Sequence, residues 1–206
     1  LDHTVQPVNI SRGEHFAEPF KRISPNQKIP AIIDYEPAEG DVPISLFESG
    51  AILQYLAEKS GALLSDKTSG RADTLQWLYW QMAGLGPILG QFMHFSVYAS
   101  ESVPYAQGRF SQEKERLYQL LNQQLGGREF IAGDYSIADI AVYPWIRRLE
   151  REGCHLECFA DLKRWYRNVS ERPAVERAYL RADAINTAPT ITAESRKYLL
   201  NAAAAI

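Results

Sequence analysis

Apolar positions along this chain fall into two regimes. Over the first sixty residues they come in short runs broken by turn residues. Residues 5–10 (VQPVNI) alternate weakly and include β-branched side chains, which predicts a short strand. Phe16, Phe20 and Ile23 then recur at spacings of four and three, which predicts a short helix interrupted by Pro19. Residues 29–34 (IPAIID) form a compact apolar run, the mark of a buried strand. After the turn-rich YEPAEGDVP, the run ISLF at 44–47 predicts a partner strand in an antiparallel hairpin with a long loop. In residues 48–59 (ESGAILQYLAEK), Ala51, Ile52, Tyr55 and Leu56 share one helical stripe.

Around residues 60–69 the composition shifts to Gly, Ser, Thr and Asp, and the period beyond is helical throughout. Leu75, Leu78 and Tyr79 mark a first long helix with a glycine- and proline-containing interruption at 84–90. Leu117, Leu120, Leu121 and Leu125 mark a second. Ser136 with Asp139 three residues on is a capping-box arrangement that opens a third. Pro173 suits the first turn of a later helix. The last twenty residues are open between a terminal helix and a tail. The predicted organisation is a small α/β module over 1–60, a linker over 61–70 and an all-helical domain over 71–206.

Composition narrows the class of protein. With 206 residues, 46% hydrophobic and 11% aromatic, the chain has ample material for a packed core. The net charge of −3 comes from 22 basic and 25 acidic residues that are well mixed, which argues against a nucleic-acid surface. No apolar run reaches the length of a membrane span. Two cysteines suit a reducing compartment, so the expected location is the cytoplasm.

Candidate chemistry sits in two short stretches. In NQKIPAI, residues 26–32, a proline leads into an apolar strand. If the Ile29–Pro30 bond is cis, the Ile29 backbone turns outward, where an extended peptide-like ligand can pair with it. Asn26, Gln27 and Lys28 stand beside it to meet a carboxylate. Taken alone, the stretch also reads as a plain loop-to-strand turn. In FESGAI, residues 47–52, Glu48 and Ser49 open a helix. A helix N-terminus attracts a carboxylate, and Glu48 offers a partner for an ammonium group, so an α-amino-acid head would satisfy both. Taken alone, this is also an ordinary N-terminal cap.

Elsewhere, Cys154, His155 and Cys158 are too few for a closed metal set and read as buried or incidental. His94 reads as a packed histidine or a pocket residue. Trp77, Tyr79 and Trp80 read as core or dimer contact, and Arg71 and Arg116 as solvated helix charges.

The order of these features resembles the glutathione transferase family. RISPNQKIPAI, LFESGAILQYLAEK, TLQWLYWQMAGLGPILGQ and YSIADIAVYPW are most similar to its bacterial nu-class branch, over about residues 1–185. The resemblance implies an α+β fold, with a thioredoxin-like N-terminal domain followed by an all-α C-terminal domain. It implies a glutathione-dependent disulfide-bond reductase acting as a homodimer on small disulfides. Conjugation of glutathione to an electrophile, or a non-catalytic interaction module, stand as alternatives. Glutathione would be the co-substrate. The resemblance places Ile29 and Pro30 against its cysteinyl part, Glu48 and Ser49 at its γ-glutamyl head, and Lys28 near its glycine carboxylate. His15 falls where members often carry a glutamine that contacts glutathione, a departure from the pattern. Arg109, in QGRF, matches an arginine that reaches a second glutathione. Ser136 and Asp139 would be structural.

In this family the groups that steady the glutathione sulfur lie on a first strand–helix unit. Only four residues precede Val5, whereas such a unit needs roughly 20 or more. The expectation is therefore a thioredoxin-like domain lacking its first strand and helix, with the sulfur-contacting residues upstream of Leu1.

Overall fold

The computed structural model describes residues 1–151, 156–187, 192 and 195–199. Its contacts divide the chain into two compact units, Leu1–Ser60 with Pro173–Ile206, and Gly61–Arg172.

In the first unit, residues 5–10 do not form the expected strand. They carry no regular structure until a 3-10 turn at Ile10–Arg12. A strand persists only where a neighbour takes its N–H and C=O groups. Among the described residues the sheet has two strands, both later in the chain, and Pro7 removes one donor besides. The helix expected around Phe16 and Phe20 is also broken up. Gly13, at φ 76°, ends the first turn and starts a second 3-10 turn, Glu14–Phe16. A single α-turn, α1 (Glu18–Lys21), follows with Pro19 in its first turn, where a missing N–H costs nothing.

The hairpin forms as the pattern predicts. Strand β1 (Ala31–Asp34) pairs antiparallel with β2 (Ile44–Phe47), with Ala31 opposite Phe47 and Asp34 opposite Ile44. It is less buried than an apolar run suggests, since Ile33 is 40% exposed. A two-stranded sheet with a helix against it leaves alternate side chains uncovered. Helix α2 (Ser49–Ser60) packs on both strands and buries Ile52 and Ala57.

A polar latch ties α2 to the hairpin. The Tyr55 hydroxyl donates to Asp34 Oδ2 at 2.6 Å, and Lys59 Nζ donates to the same oxygen at 2.5 Å. Tyr55 and Lys59 lie one turn apart, hence on one face. Lys59, then Tyr55, pull the Asp34 carboxyl down to about 2, while the carboxylate pushes the Tyr55 phenol up to about 12. Helix α8 (Pro173–Ile185) belongs to this unit, as does the short α9 (Arg196–Leu199).

The second unit is helical. Helix α3 (Thr68–Trp80) runs on through a π-turn, Gln81–Leu85, into α4 (Gly86–Met93) and a second π-turn, His94–Tyr98. The interruption predicted at 84–90 is therefore a widened turn and not a break. Pro87 cannot donate the usual i→i−4 bond, and a local π-turn absorbs the mismatch. Gly86 is required for packing. A Cβ there would lie 2.6 Å from Gln81 Nε2 and 3.2 Å from the Trp145 ring.

Helices α5 (Pro104–Gln124), α6 (Ile137–Arg151) and α7 (Ala160–Ser170) complete the unit. Its core includes Leu78, Leu85, Leu89, Leu121, Leu125, Ile131, Ile146 and Trp165, each fully buried. Tyr79, expected on the same stripe as Leu78, is 55% exposed instead. The stripe of α3 is narrow, and position 79 falls outside it.

Asp139 is the polar centre of this core. Its Oδ1 accepts from Ile131 N–H at 3.0 Å and Trp165 Nε1–H at 2.8 Å, and its Oδ2 from Ser136 N–H at 3.0 Å and the Ser136 hydroxyl at 3.2 Å. The capping box read from Ser136 and Asp139 is thus present. Burial pushes the Asp139 carboxyl up, against the pull of its donors. Among the described residues, no helix is long and apolar enough to cross a membrane.

Candidate functional site

A shallow pocket in the first unit is lined by Ser24, Lys28, Ile29, Pro30, Phe47, Glu48 and Ser49. Five of these seven are residues singled out from the sequence: Lys28, Ile29, Pro30, Glu48 and Ser49. They come from two segments joined by the hairpin, the loop before β1 and the junction of β2 with α2.

The loop is shaped locally. The Ser24 hydroxyl donates to the Lys28 C=O at 2.8 Å and accepts the Lys28 N–H at 3.3 Å, and the Gln27 N–H donates to the Ser24 C=O at 2.8 Å. Gln27 takes a left-handed φ of 55° to close this turn. Ser24 is completely buried beneath it. The chain then leaves through a cis Ile29–Pro30 bond, with Ile29 48% exposed at the lip of the pocket. Ser24 and Phe47 were not singled out from the sequence. A serine four residues before Lys28, in a Pro-Asn turn, is the one local signal that could have marked Ser24.

The opposite wall is the start of α2. Glu48 stands just before the helix with φ 68°. A non-glycine residue in that region is strained, and such strain collects at functional positions. The Glu48 C=O accepts the Ile52 N–H at 2.9 Å, and the Asn26 side-chain amide donates to the Glu48 carboxylate at 3.4 Å. The pocket therefore presents a carboxylate, an ammonium, a serine hydroxyl and the positive end of a helix within one small space. That combination suits an amino-acid head bearing both charges, next to an exposed extended backbone.

His15 does not line this pocket. It is 3% exposed, its ring lies 4.0 Å from Phe16, and its Nδ1 has no hydrogen-bond partner. Burial, followed by the nearby Lys28 ammonium, lowers its pKa, so the imidazole is neutral near neutral pH. Lys28 thus links His15 to the pocket electrostatically. Arg109 belongs to the other unit, on α5, where its exposed guanidinium pairs with Glu113 at 3.8 Å.

The remaining candidates separate. The His94 ring stands edge-on to Phe95 at 4.9 Å, at the head of the second π-turn. Trp77 and Trp80 pack edge to face at 5.0 Å. Arg116 is an exposed helix charge paired with Glu113 at 2.7 Å. Cys154 and His155 lie outside the described residues, and Cys158 is exposed, not buried.

Comparison with known proteins gives this arrangement a family. Residues 1–58 match the pattern described as "Glutathione S-transferase, N-terminal domain", and residues 97–173 match its C-terminal domain. The chain is 49% identical over 183 residues to the disulfide-bond oxidoreductase YfcG of Escherichia coli K12, spanning 88% of this chain and 85% of that protein. This chain belongs to the glutathione S-transferase family. It is also 40% identical over 179 residues to the disulfide-bond oxidoreductase YghU of the same organism, spanning 82% of this chain and 61% of that one. A glutathione transferase from Pseudomonas putida, solved with one glutathione disulfide per subunit, superposes with a TM-score of 0.82 at 41% identity, over 86% of this chain and 80% of that one. Another from Pseudomonas fluorescens Pf-5, solved with two glutathiones, does so at 0.81 and 42%, over 86% and 81%. The fold is accordingly that of the family, a thioredoxin-like N-terminal part followed by a helical C-terminal part.

Proposed function

We propose that this protein is a glutathione-dependent disulfide-bond reductase. The observation that carries the reading is the 49% identity with YfcG, a disulfide-bond oxidoreductase, along 88% of the chain. The pocket supports it, because its chemistry fits glutathione group by group. The γ-glutamyl head carries an ammonium for Glu48 and a carboxylate for Ser49 and the N-terminus of α2. The cysteinyl part is extended and suits the Ile29 backbone beside Pro30. The glycine carboxylate suits Lys28. His15, outside the pocket lining, is assigned a glutathione contact from the family resemblance alone. Arg109 is assigned the carboxylate of a second glutathione, which a planar guanidinium grips in two places. These residue roles follow the family resemblance and the character of each side chain.

The reaction is thiol–disulfide exchange. The thiolate of a bound glutathione attacks one sulfur of the substrate disulfide, and the other sulfur leaves as a thiolate and takes up a proton. A second glutathione thiolate then attacks the mixed disulfide. The products are glutathione disulfide and two substrate thiols, so two glutathiones are oxidised for each disulfide reduced. The protein's part is to hold the peptide and align the sulfurs, which removes much of the entropic cost of meeting. We further place the chain in the nu class, in the cytoplasm, and as a homodimer. The dimer is supported by Tyr79 at 55% and Tyr105 at 85% exposure, aromatic surface beyond what a core needs.

The test compares glutathione-coupled reduction of hydroxyethyl disulfide with conjugation of a chloronitrobenzene. We expect disulfide turnover to dominate. Arg109→Ala should lower turnover of glutathione-type disulfides about tenfold or more and leave affinity for reduced glutathione in place. Loss of conjugation with disulfide reduction intact would reverse the assignment. Absence of both activities would favour a binding module.

A further inference from the structure

Tyr198 contacts a part of the first unit that the proposed function uses only through a neighbour. Helix α9 packs on the 3-10 turn Ile10–Arg12. The meeting point is Gly13, at φ 76°, where a Cβ would lie 2.9 Å from both Cδ1 and Cε1 of the Tyr198 ring. A side chain is excluded there twice, by the backbone conformation and by the ring. The tail that carries Tyr198 is itself shaped. The Thr192 N–H donates to Ser195 Oγ at 2.8 Å, the Ser195 N–H donates back to Thr192 Oγ1 at 3.1 Å, and Ser195 is 1% exposed.

Gly13 is also the residue from which the turn carrying His15 starts, and the Phe16 N–H donates to its C=O at 2.9 Å. Several of the hydrogen bonds that shape this segment are local. Arg12 and Glu14 N–H both donate to the Asn9 C=O at 3.1 and 3.2 Å, and the Asn9 N–H donates to the Glu14 carboxylate at 2.6 Å. Local bonds set the shape of a loop, but its place in the fold is set by what packs on it. Yet His15 is 3% exposed, with an unpartnered Nδ1, and so must be held in place from outside the loop.

We infer that Tyr198 is a positioning residue for His15. Its ring seats the segment through Gly13, so that the imidazole meets glutathione without the loop having to be ordered on binding. Such preorganisation appears as affinity and not as turnover of the bound complex. The inference rests on His15 being a glutathione contact.

The test measures glutathione affinity by calorimetry, and turnover at saturating glutathione, for Tyr198→Phe, Tyr198→Ala, His15→Ala and the Tyr198→Ala/His15→Ala pair in the full chain. Tyr198→Ala should raise Kd about fivefold or more and leave saturated turnover within about twofold. Tyr198→Phe keeps the ring that meets Gly13 and should bind more tightly than Tyr198→Ala. Because the effect passes through His15, the double variant should be no weaker than His15→Ala alone, a coupling that general loss of stability does not produce. Gly13→Ala, which drives a methyl into the ring from the other side, should repeat the Tyr198→Ala pattern. If His15→Ala weakens binding and Tyr198→Ala does not, or if the two losses add, the inference is wrong. If His15→Ala binds like the parent, the role assigned to His15 is wrong and the inference falls with it.

Discussion

Ser24→Ala removes one hydroxyl that no solvent reaches and that touches no ligand directly in the proposed reading. Its effect can be worked from two bonds. The Ser24 hydroxyl donates to the Lys28 C=O at 2.8 Å, a good bond, and accepts the Lys28 N–H at 3.3 Å, a long one. A typical intramolecular hydrogen bond contributes about 0.5–1.5 kcal/mol net. One good and one weak bond together therefore hold the 24–28 turn by about 1.5 kcal/mol. Gln27, strained at φ 55°, gains from any relaxation of that turn. Once the bonds are gone, the turn spends part of its time open, with Lys28 and Ile29 displaced. Apparent affinity falls by the fraction that remains closed, so the ceiling is about tenfold in Kd. Titration calorimetry with glutathione, beside thermal unfolding, reads both effects. We expect a Kd raised between about threefold and tenfold with a small fall in melting temperature. Ser24→Cys, which keeps a weak donor, should fall between. A melting temperature that falls while Kd stays at the parent value would refute the reasoning, since it would mean the turn is not what places Lys28 and Ile29.

Three further outcomes follow from the geometry. Glu48→Gly relieves the left-handed backbone at φ 68°, so stability should hold or rise by up to about 1 kcal/mol, while loss of the carboxylate should weaken glutathione binding about tenfold or more by calorimetry. Asp34, held down to about 2 by Lys59 and Tyr55, gives stability that is present above its unfolded value and lost as pH falls from about 4 through about 2; Asp34→Asn should flatten that acid limb in a pH series of unfolding midpoints, and an unchanged limb would rule the latch out. Asp139→Asn keeps the shape but turns an amide N–H₂ toward an N–H donor, whichever way it flips, because both carboxylate oxygens accept backbone donors; it should cost about 2–3 kcal/mol in denaturant unfolding, and a parent-like midpoint would show the donors find other partners.

What the sequence alone determined is what local pattern encodes. The β2 run ISLF, the start of α2 at Ser49 and the Ser136–Asp139 capping box each rest on residues within four positions of one another, and each forms as read. Lys28, Ile29, Pro30, Glu48 and Ser49 could be named together because two short motifs carry them and the order of those motifs resembles one family; the hairpin then brings both motifs to one pocket. Tertiary structure decided the rest. Residues 5–10 have strand-like composition, but a strand needs a neighbour, which periodicity does not supply. Asp34 meets Tyr55 and Lys59 across 21 and 25 residues, and Asp139 meets Trp165 across 26, pairings that no spacing rule predicts. Tyr79 faces outward while Leu78 beside it is fully buried, because the width of the apolar stripe is set by what packs against α3. Nothing local to Gly13 marks its neighbour, Tyr198, which comes from the far end of the chain. Short-range order follows from backbone preference and hydrophobic period; which distant side chain fills a given space follows only from the packed fold.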